Sequence, residues 1–259
     1  MILSVKDISI AFGALKAIDG VGFSVAEGQI FSVIGPNGAG KTTLFNVISG
    51  VYVADSGRVE LAGHDVTRLA PDALAARGMS RTFQNLQIFQ RMTVAQNVMV
   101  GRHLKEKCNL LADLLRLPSV GRQNRATRAA ALEYLDEVGL RDKADVLAGD
   151  LSYGGCKRLE IARALAAEPR IVLLDEPAAG CNAVETEDID RVICRLAEKG
   201  IAVVLVEHDM KLVMKISNRI LVLDRGKVLI EGTPQEVRDS AAVHDAYLGT
   251  RRTMEAQRA

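Results

Sequence analysis

Residues 35–43 read Gly-Pro-Asn-Gly-Ala-Gly-Lys-Thr-Thr, the spacing G-x-x-x-x-G-K-S/T, between an apolar run and a helical stretch. Gly35, Gly38 and Gly40 let the backbone turn tightly, so that N–H groups converge on a phosphate at the positive end of a helix. Pro36, Asn37 and Ala39 complete the loop. Lys41 would reach the β- and γ-phosphates, the Thr42 hydroxyl would hold Mg²⁺, and Thr43 lies beside it. This is the chemistry of a nucleoside-triphosphate site. Asp175 and Glu176 are adjacent acids at the end of a second apolar run. One can steer Mg²⁺ while the other polarises water. His208 ends a third such run, and beside a phosphate loop and an acid pair it is a candidate γ-phosphate sensor. Ser152 and Gly154, in Leu151-Ser152-Tyr153-Gly154-Gly155, precede another helical stretch, where free N–H groups and the helix dipole suit an anion. Taken alone that stretch is a serine N-cap with glycine freedom. Phe12 is either a stacking face for adenine or an ordinary aromatic.

The elements that must carry these residues follow from periodicity. Ile2–Ile10 and, more weakly, Gly20–Val25 alternate as strands, with Phe12 and Gly13 in the turn between them. Ile30–Ile34 is nearly all apolar and so central. A helical segment, Leu44–Ser49, follows the phosphate loop. Gly57–Leu61 and Gly63–Val66 read as a strand and turn, Pro71–Arg77 as a short helix, and Ser80–Asn85 as a strand ending near Gln84. Apolar positions from Val94 and Val98 through Leu104, Leu110, Leu111, Leu114 and Leu115 are broken at Pro118. Asn124–Val138 is helical, with Gly139 as its C-cap. Beyond 156, helices (157–167, 183–199, 210–217) alternate with the buried runs Ile171–Leu174, Ile201–Val206 and Ile220–Leu223, and Val228–Glu231 closes the series. Alternating strands and helices predict a parallel sheet covered on both faces, with ligand at the carboxyl ends of its strands. Lys41, Asp175, Glu176 and His208 all fall there.

Composition narrows the function. At 259 residues, with 48% apolar and 25% charged residues, the chain has the makeup of an ordinary globular protein. A net charge of +1 gives no global electrostatic case for nucleic acid or an anionic membrane surface. Cys108, Cys156, Cys181 and Cys194 lack C-x-x-C spacing, which argues against a disulfide framework or zinc and for reduced thiols in a cytosol. The N-terminus shows no signal-peptide apolar region. Ile201–Val206 falls far short of the roughly 18 residues that span a bilayer. A role at a membrane would require another chain to do the spanning. The bases between 102 and 128 read as a solvated face, and the last ten residues as frayed.

Taken in order, residues 35–43, Gln84, Leu151–Gly155, Ile171–Pro177, Ala178–Asn182 and His208 resemble the ATP-binding subunit of ABC transporters over essentially the whole chain. The resemblance implies an α/β fold, a P-loop NTPase cassette with a mainly parallel core sheet, an antiparallel β subdomain and a helical insert. The expected divisions are 1–85, 86–155 and 156–259 within one cassette. ATP and Mg²⁺ are the implied ligands. Phe12 would stack on adenine, and Thr42, Gln84 and Asp175 would serve Mg²⁺. Glu176 would be the general base, with His208, Gln84 and Lys41 assisting. Ser152, Tyr153, Gly154 and Gly155 would form the signature that meets the nucleotide of a second subunit, the same chain or a sibling, in a head-to-tail dimer. Gly180 and Asn182 would communicate across that dimer. Two membrane permeases would dock near Gln84, with a substrate-binding protein as an indirect partner and no nucleic acid. The place of work would be the cytoplasmic face of the plasma (inner) membrane.

Within the family, Arg81–Gln84, Leu159–Leu165, Glu176–Gly180, Glu207–Met214 and Glu231–Pro234 look closest to branched-chain amino acid importer ATPases. Import of such amino acids or related amides is therefore the expectation. A lipid or lipopolysaccharide exporter ATPase, a soluble ABC-type ATPase and a small-molecule kinase are the rivals. One departure stands out. The signature usually carries a polar residue such as Gln at the position of Gly155, and commonly a polar one at Cys156. Extra glycine freedom ahead of the helix predicts weaker or slower dimerisation rather than an inactive protein.

Overall fold

The computed structural model describes residues 1–82, 84–105 and 118–247. Its central sheet is built from the apolar runs. β3 (Ile30–Ile34), β7 (Ile171–Asp175) and β8 (Ala202–Val206) are buried along their whole length. With β6 (Met79–Arg81), β9 (Arg219–Asp224) and β10 (Lys227–Gly232) they form one sheet in the order β10-β9-β3-β8-β7-β6. All neighbours are parallel except β10, which returns antiparallel to β9 across a tight turn.

Side-chain alternation divides the core. Val33, Leu173, Val204 and Val206 point into one apolar cluster, and Ile30, Val172, Leu174, Val203 and Leu205 into another on the opposite face. Burying one such side chain contributes about 1.5–3 kcal/mol, so these strands dominate the stability of the sheet. The first face is shared with α1 (Lys41–Ile48) and with a four-stranded antiparallel sheet, order β2-β1-β4-β5. Its strands are β1 (Leu3–Phe12), β2 (Leu15–Val25), β4 (Ser56–Leu61) and the two-residue β5 (His64–Asp65). Phe12 is thus not in a turn but is the last residue of β1, paired with Leu15. A short helix α2 (Pro71–Ala76) leads into β6.

The second face is shared with the helices that follow. α3 (Val94–Gly101) opens on a capping box between Thr93 and Gln96, and packs on α4 (Pro118–Glu137) and α5 (Tyr153–Leu165). Val94, Val98, Ala131 and Leu135 join Leu159, Val203 and Leu205 in one cluster, so the helical segment shares a continuous core with the sheet. Pro118 stands at the head of a helix, where its missing N–H goes unneeded. Gly139 caps the other end in the left-handed region, its N–H donating to Asp136 and that of Leu140 to Leu135. α6 (Ala183–Glu198), α7 (Met210–Ile216) and α8 (Pro234–Asp239) complete the layers.

Two helix starts differ from expectation. α1 begins at Lys41 rather than Leu44, and α5 at Tyr153 rather than near residue 156. Ser152 is therefore the N-cap of α5, and Gly154 and Gly155 lie inside its first turn. Phe83, Cys108, Leu110, Leu111, Leu114, Leu115 and the arginines of the last ten residues lie outside the described residues. Among the described residues no helix is long and apolar enough to cross a membrane.

Candidate nucleotide site

The phosphate loop hangs between β3 and α1 at the carboxyl end of the sheet, and its backbone needs glycine. Gly40 has φ 101°, and a Cβ there would lie 2.7 Å from the Ala17 carbonyl oxygen. Gly35 has φ 152°, and a Cβ would come within 2.2 Å of the Leu223 carbonyl. The Lys41 ammonium donates to the carbonyls of Gly35 (2.7 Å) and Pro36 (3.0 Å), closing the loop on itself. Burial pulls this lysine below its ordinary pKa, and attraction to Glu176 and Asp175 opposes the shift. Gly40, the N-cap of α1, offers no side-chain cap, and no acid sits in the first turn. The first N–H groups of the helix are left to an outside anion.

Opposite the loop, Asp175 closes β7 and Glu176 turns out of it. Glu176 occupies the left-handed region (φ 50°), a conformation that costs a non-glycine residue about 1–3 kcal/mol. Its backbone is pinned. The Glu176 N–H donates to Val206 (2.9 Å), and its carbonyl accepts from the Ala179 N–H (3.2 Å) and the Lys157 ammonium (3.3 Å). Its carboxylate lies between His208 Nε2, 2.6 Å from Oε1, and Gln84 Nε2, which donates to Oε2 at 3.2 Å. Asp175 is nearly inaccessible. Its Oδ2 accepts from Arg81 at 3.0 Å, and Arg81 also donates to Asn46 and Ser49 of the α1 region. Burial pushes the Asp175 carboxyl above its ordinary value, and Arg81 pulls it back.

A cleft of about 830 Å³ opens between these parts, lined by Phe12, residues 37–43, Gln84, Glu176 and His208. Phe12 is half exposed there, with the Tyr52 ring edge-on at 5.4 Å. Leu15, Lys16 and Ala17 of β2, and Arg225 of the β9–β10 turn, line the same cleft. The sequence drew no attention to them, because a strand on a separate sheet reaches the phosphate loop only through the fold. Thr42, exposed at the start of α1, shares the cleft with Gln84 and Glu176. That all-oxygen donor set fits Mg²⁺ that also binds substrate phosphates. Asp175 sits behind the wall, held by Arg81. Among the described residues no group of three or more His, Cys, Asp and Glu side chains could hold a metal unaided.

The signature residues are elsewhere, for none of Ser152, Tyr153, Gly154 and Gly155 lines the cleft. Ser152 Oγ accepts from the Gly155 N–H (3.1 Å) and donates to Glu185 Oε1 (2.9 Å). The same oxygen accepts from the Gly154 N–H (3.1 Å). Glu185 belongs to the capping box that Asn182 makes at the head of α6. Gly180, at φ 80°, packs so close to the Tyr153 ring that a Cβ would lie 3.1 Å from it. The structure thus brings the signature together with Gly180 and Asn182, and away from Lys41. Lys157, one turn into α5, is buried and bridges back to the cleft, donating to the carbonyls of Gln84 and Glu176 at 3.3 Å each.

Fold and site together define a P-loop ATP-binding cassette. Comparison with known proteins carries this further. The family model described as ABC transporter matches residues 18–179, and one described as branched-chain amino acid ATP-binding cassette transporter matches residues 227–253. The chain is 45% identical over 249 residues to the high-affinity branched-chain amino acid transport ATP-binding protein BraF of Pseudomonas aeruginosa, covering 96% of this chain and 98% of that one. It superposes on the ADP conformation of MJ1267, an ATP-binding cassette of an ABC transporter, with TM-score 0.84 and 34% identity over 96% of this chain and 98% of that one. It also superposes on the dimeric bacterial ABC transporter cassette MJ0796, with TM-score 0.75 and 26% identity over 90% and 98%. The chain belongs to the ABC transporter family, as a nucleotide-binding transport ATPase.

Proposed function

We propose that this chain powers uptake of branched-chain amino acids or related small amides, as one of two ATPase subunits of a membrane importer. The observation that carries the mechanism is the division of the site. Lys41, Gln84, Glu176 and His208 converge on one cleft, while Ser152 and Gly154 lie outside it. Two chains, identical or siblings, therefore close head to tail, each placing its signature over the nucleotide held by the other.

The loop N–H groups and Lys41 hold the phosphates, and Phe12 takes the adenine face. Thr42 and Gln84 would hold Mg²⁺, with Asp175 and Arg81 behind them, and the ion when bound would supply positive charge against the phosphates. Glu176 takes a proton from the attacking water, and His208 orients the carboxylate and the terminal phosphate. Closure is a two-state switch, favoured by ATP because both chains touch it. Membrane permeases follow the motion by docking in a groove of about 670 Å³ lined by Arg81 and Gln87, which flank Gln84 in the chain, and by Val51, Ile88, Val100 and the half-exposed Phe89. The work is done at the cytoplasmic face of the plasma membrane. The role of BraF in branched-chain amino acid transport supports the substrate class.

The test is assembly. The Glu176→Gln protein should bind ATP, stall and accumulate as a dimer by light scattering, and Lys41→Ala should stay monomeric. Rapid steady-state hydrolysis by Glu176→Gln would remove Glu176 as general base. Co-expression with the permeases should recover a complex that takes up a labelled branched-chain amino acid, and a chain that never co-purifies with a permease, or a complex that takes up no such amino acid, would argue against this transport role.

A further inference from the structure

We propose that Glu185 is an internal occupant of the signature half-site, a carboxylate seated where the γ-phosphate of the partner's nucleotide must go and expelled each time two chains close. The inference rests on the head-to-tail reading above and adds a residue that none of the motifs contains.

The donors assigned to that phosphate are already in use. Glu185 Oε1 takes the Ser152 hydroxyl at 2.9 Å and the Gly154 N–H at 3.1 Å, while Oε2 takes the Asn182 N–H at 3.2 Å. The Glu185 side chain lies directly on Gly154, so close that a Cβ there would sit 2.5 Å from its carboxyl carbon. The electrostatics of α5 explain the seating. This helix of 13 residues has no acid in its first turn, and Gly155, at the third helical position, has no side chain to complete a capping box with Ser152. A carboxylate from the next helix supplies the missing negative charge. The Ser152 hydroxyl accepts from Gly155, so its own proton is directed at Glu185.

A phosphate cannot share this seat. Two anions would compete for the same two donors, and like charges a few ångströms apart repel strongly in a closed interface. Glu185 therefore raises the ATP concentration at which dimers form. Because Glu185 also belongs to the box around Asn182, its departure would loosen the start of α6 and the loop that carries Gly180. Seating of the partner's nucleotide is thereby linked to the communication loop of the same chain.

The experiment titrates ATP against dimer formation in the Glu176→Gln background, by light scattering. Glu185→Gln keeps an acceptor for the α6 cap and removes the charge, and Glu185→Asp keeps the charge and loses the reach. Charge-assisted hydrogen bonds are about twice as strong as neutral ones, and each variant should lower the half-maximal ATP concentration by about 3- to 10-fold. The monomer's affinity for a fluorescent ATP analogue is measured alongside, so that a change at the cleft is not mistaken for one at the seat. An unchanged or higher ATP requirement in both variants, with monomer affinity intact, overturns the proposal and leaves Glu185 as a cap. Absence of any ATP-driven dimer in Glu176→Gln itself defeats the head-to-tail reading, and the proposal with it.

Discussion

His208 Nε2 lies 2.6 Å from Glu176 Oε1, and Gln84 holds the other carboxylate oxygen at 3.2 Å. The acid proposed to activate water is thus clamped from both sides by residues that approach from different strands. A base so held is aimed before substrate arrives, and its partners decide where it points. Removing the imidazole should affect the chemical step more than binding. His208→Ala is expected to lower kcat by about 10²- to 10³-fold, within the range for general-base catalysis. ATP affinity should stay within a factor of about 3. Steady-state hydrolysis and fluorescent-nucleotide titration separate the two, and a variant that loses affinity while keeping kcat would show that His208 serves binding alone.

The phosphate loop should tolerate almost nothing at Gly40. Alanine there would press on the Ala17 carbonyl at 2.7 Å and Ile18 Cδ1 at 2.6 Å, from a backbone that L residues rarely adopt. Strain of this kind costs about 1–3 kcal/mol, and the melting temperature should fall by about 3–10 °C for a chain of this size. Nucleotide binding should fall with it, because β2 would be pushed off the loop. Thermal melts of Gly40→Ala with and without ATP check both parts.

Glu207, the chain neighbour of His208, supplies a pH test read through stability rather than through activity. Its carboxylate is buried and accepts from the N–H groups of Ala178 (2.9 Å) and His208 (3.0 Å). Burial nevertheless pushes its pKa above the ordinary glutamate value, the hydrogen bonds pulling the other way. The stability linked to a raised carboxyl is fully present below about pH 4, and it is lost as pH rises through the folded value. Glu207→Gln does not ionise and escapes this loss, although its amide faces the His208 N–H and costs about 1 kcal/mol. The melting temperature of the variant minus that of the native chain should therefore be more positive at pH 8 than at pH 4.5. A difference of the opposite sign would refute the assignment.

Gly155→Gln should strengthen the signature helix. Glycine inside a helix costs roughly 0.5–1 kcal/mol relative to ordinary residues, and a glutamine at this position could complete a capping box on Ser152. The space is tight but usable. A Cβ would meet Leu151 Cβ at 3.3 Å and Ser152 Oγ at 3.4 Å, requiring shifts of a few tenths of an ångström. A rise in melting temperature of about 2–4 °C and dimerisation at lower ATP are expected. Unchanged melting, ATPase and transport rates would mean that the glycine is not a weak point.

Much of this molecule was legible from local spacing. The loop of residues 35–43, the buried strands that end at Asp175 and ahead of Glu207, and the helices between them are all encoded within a few residues, because backbone geometry and alternation act over short distances. Element ends were less legible. Tyr153-Gly154-Gly155 lacks helical propensity and so predicts a later start for α5, but the Ser152 cap, backed by Glu185 from another helix, overrides it. The bounds of α4 could not be read across Pro118, since proline can open a helix as well as end one.

The sequence by itself determined which residues are candidates for the chemistry and that their strand ends meet at one edge of a parallel sheet. Only the tertiary structure decided their company. Arg81 reaches Asp175 across 94 residues, Lys157 reaches the Gln84 carbonyl across 73, and Glu185 reaches Ser152 across 33. No spacing rule records such pairs, because they exist only once sheet register and helix packing set separate segments side by side. The same packing leaves Ser152 and Gly154 away from Lys41 and against Glu185, the arrangement on which the proposed head-to-tail pairing rests.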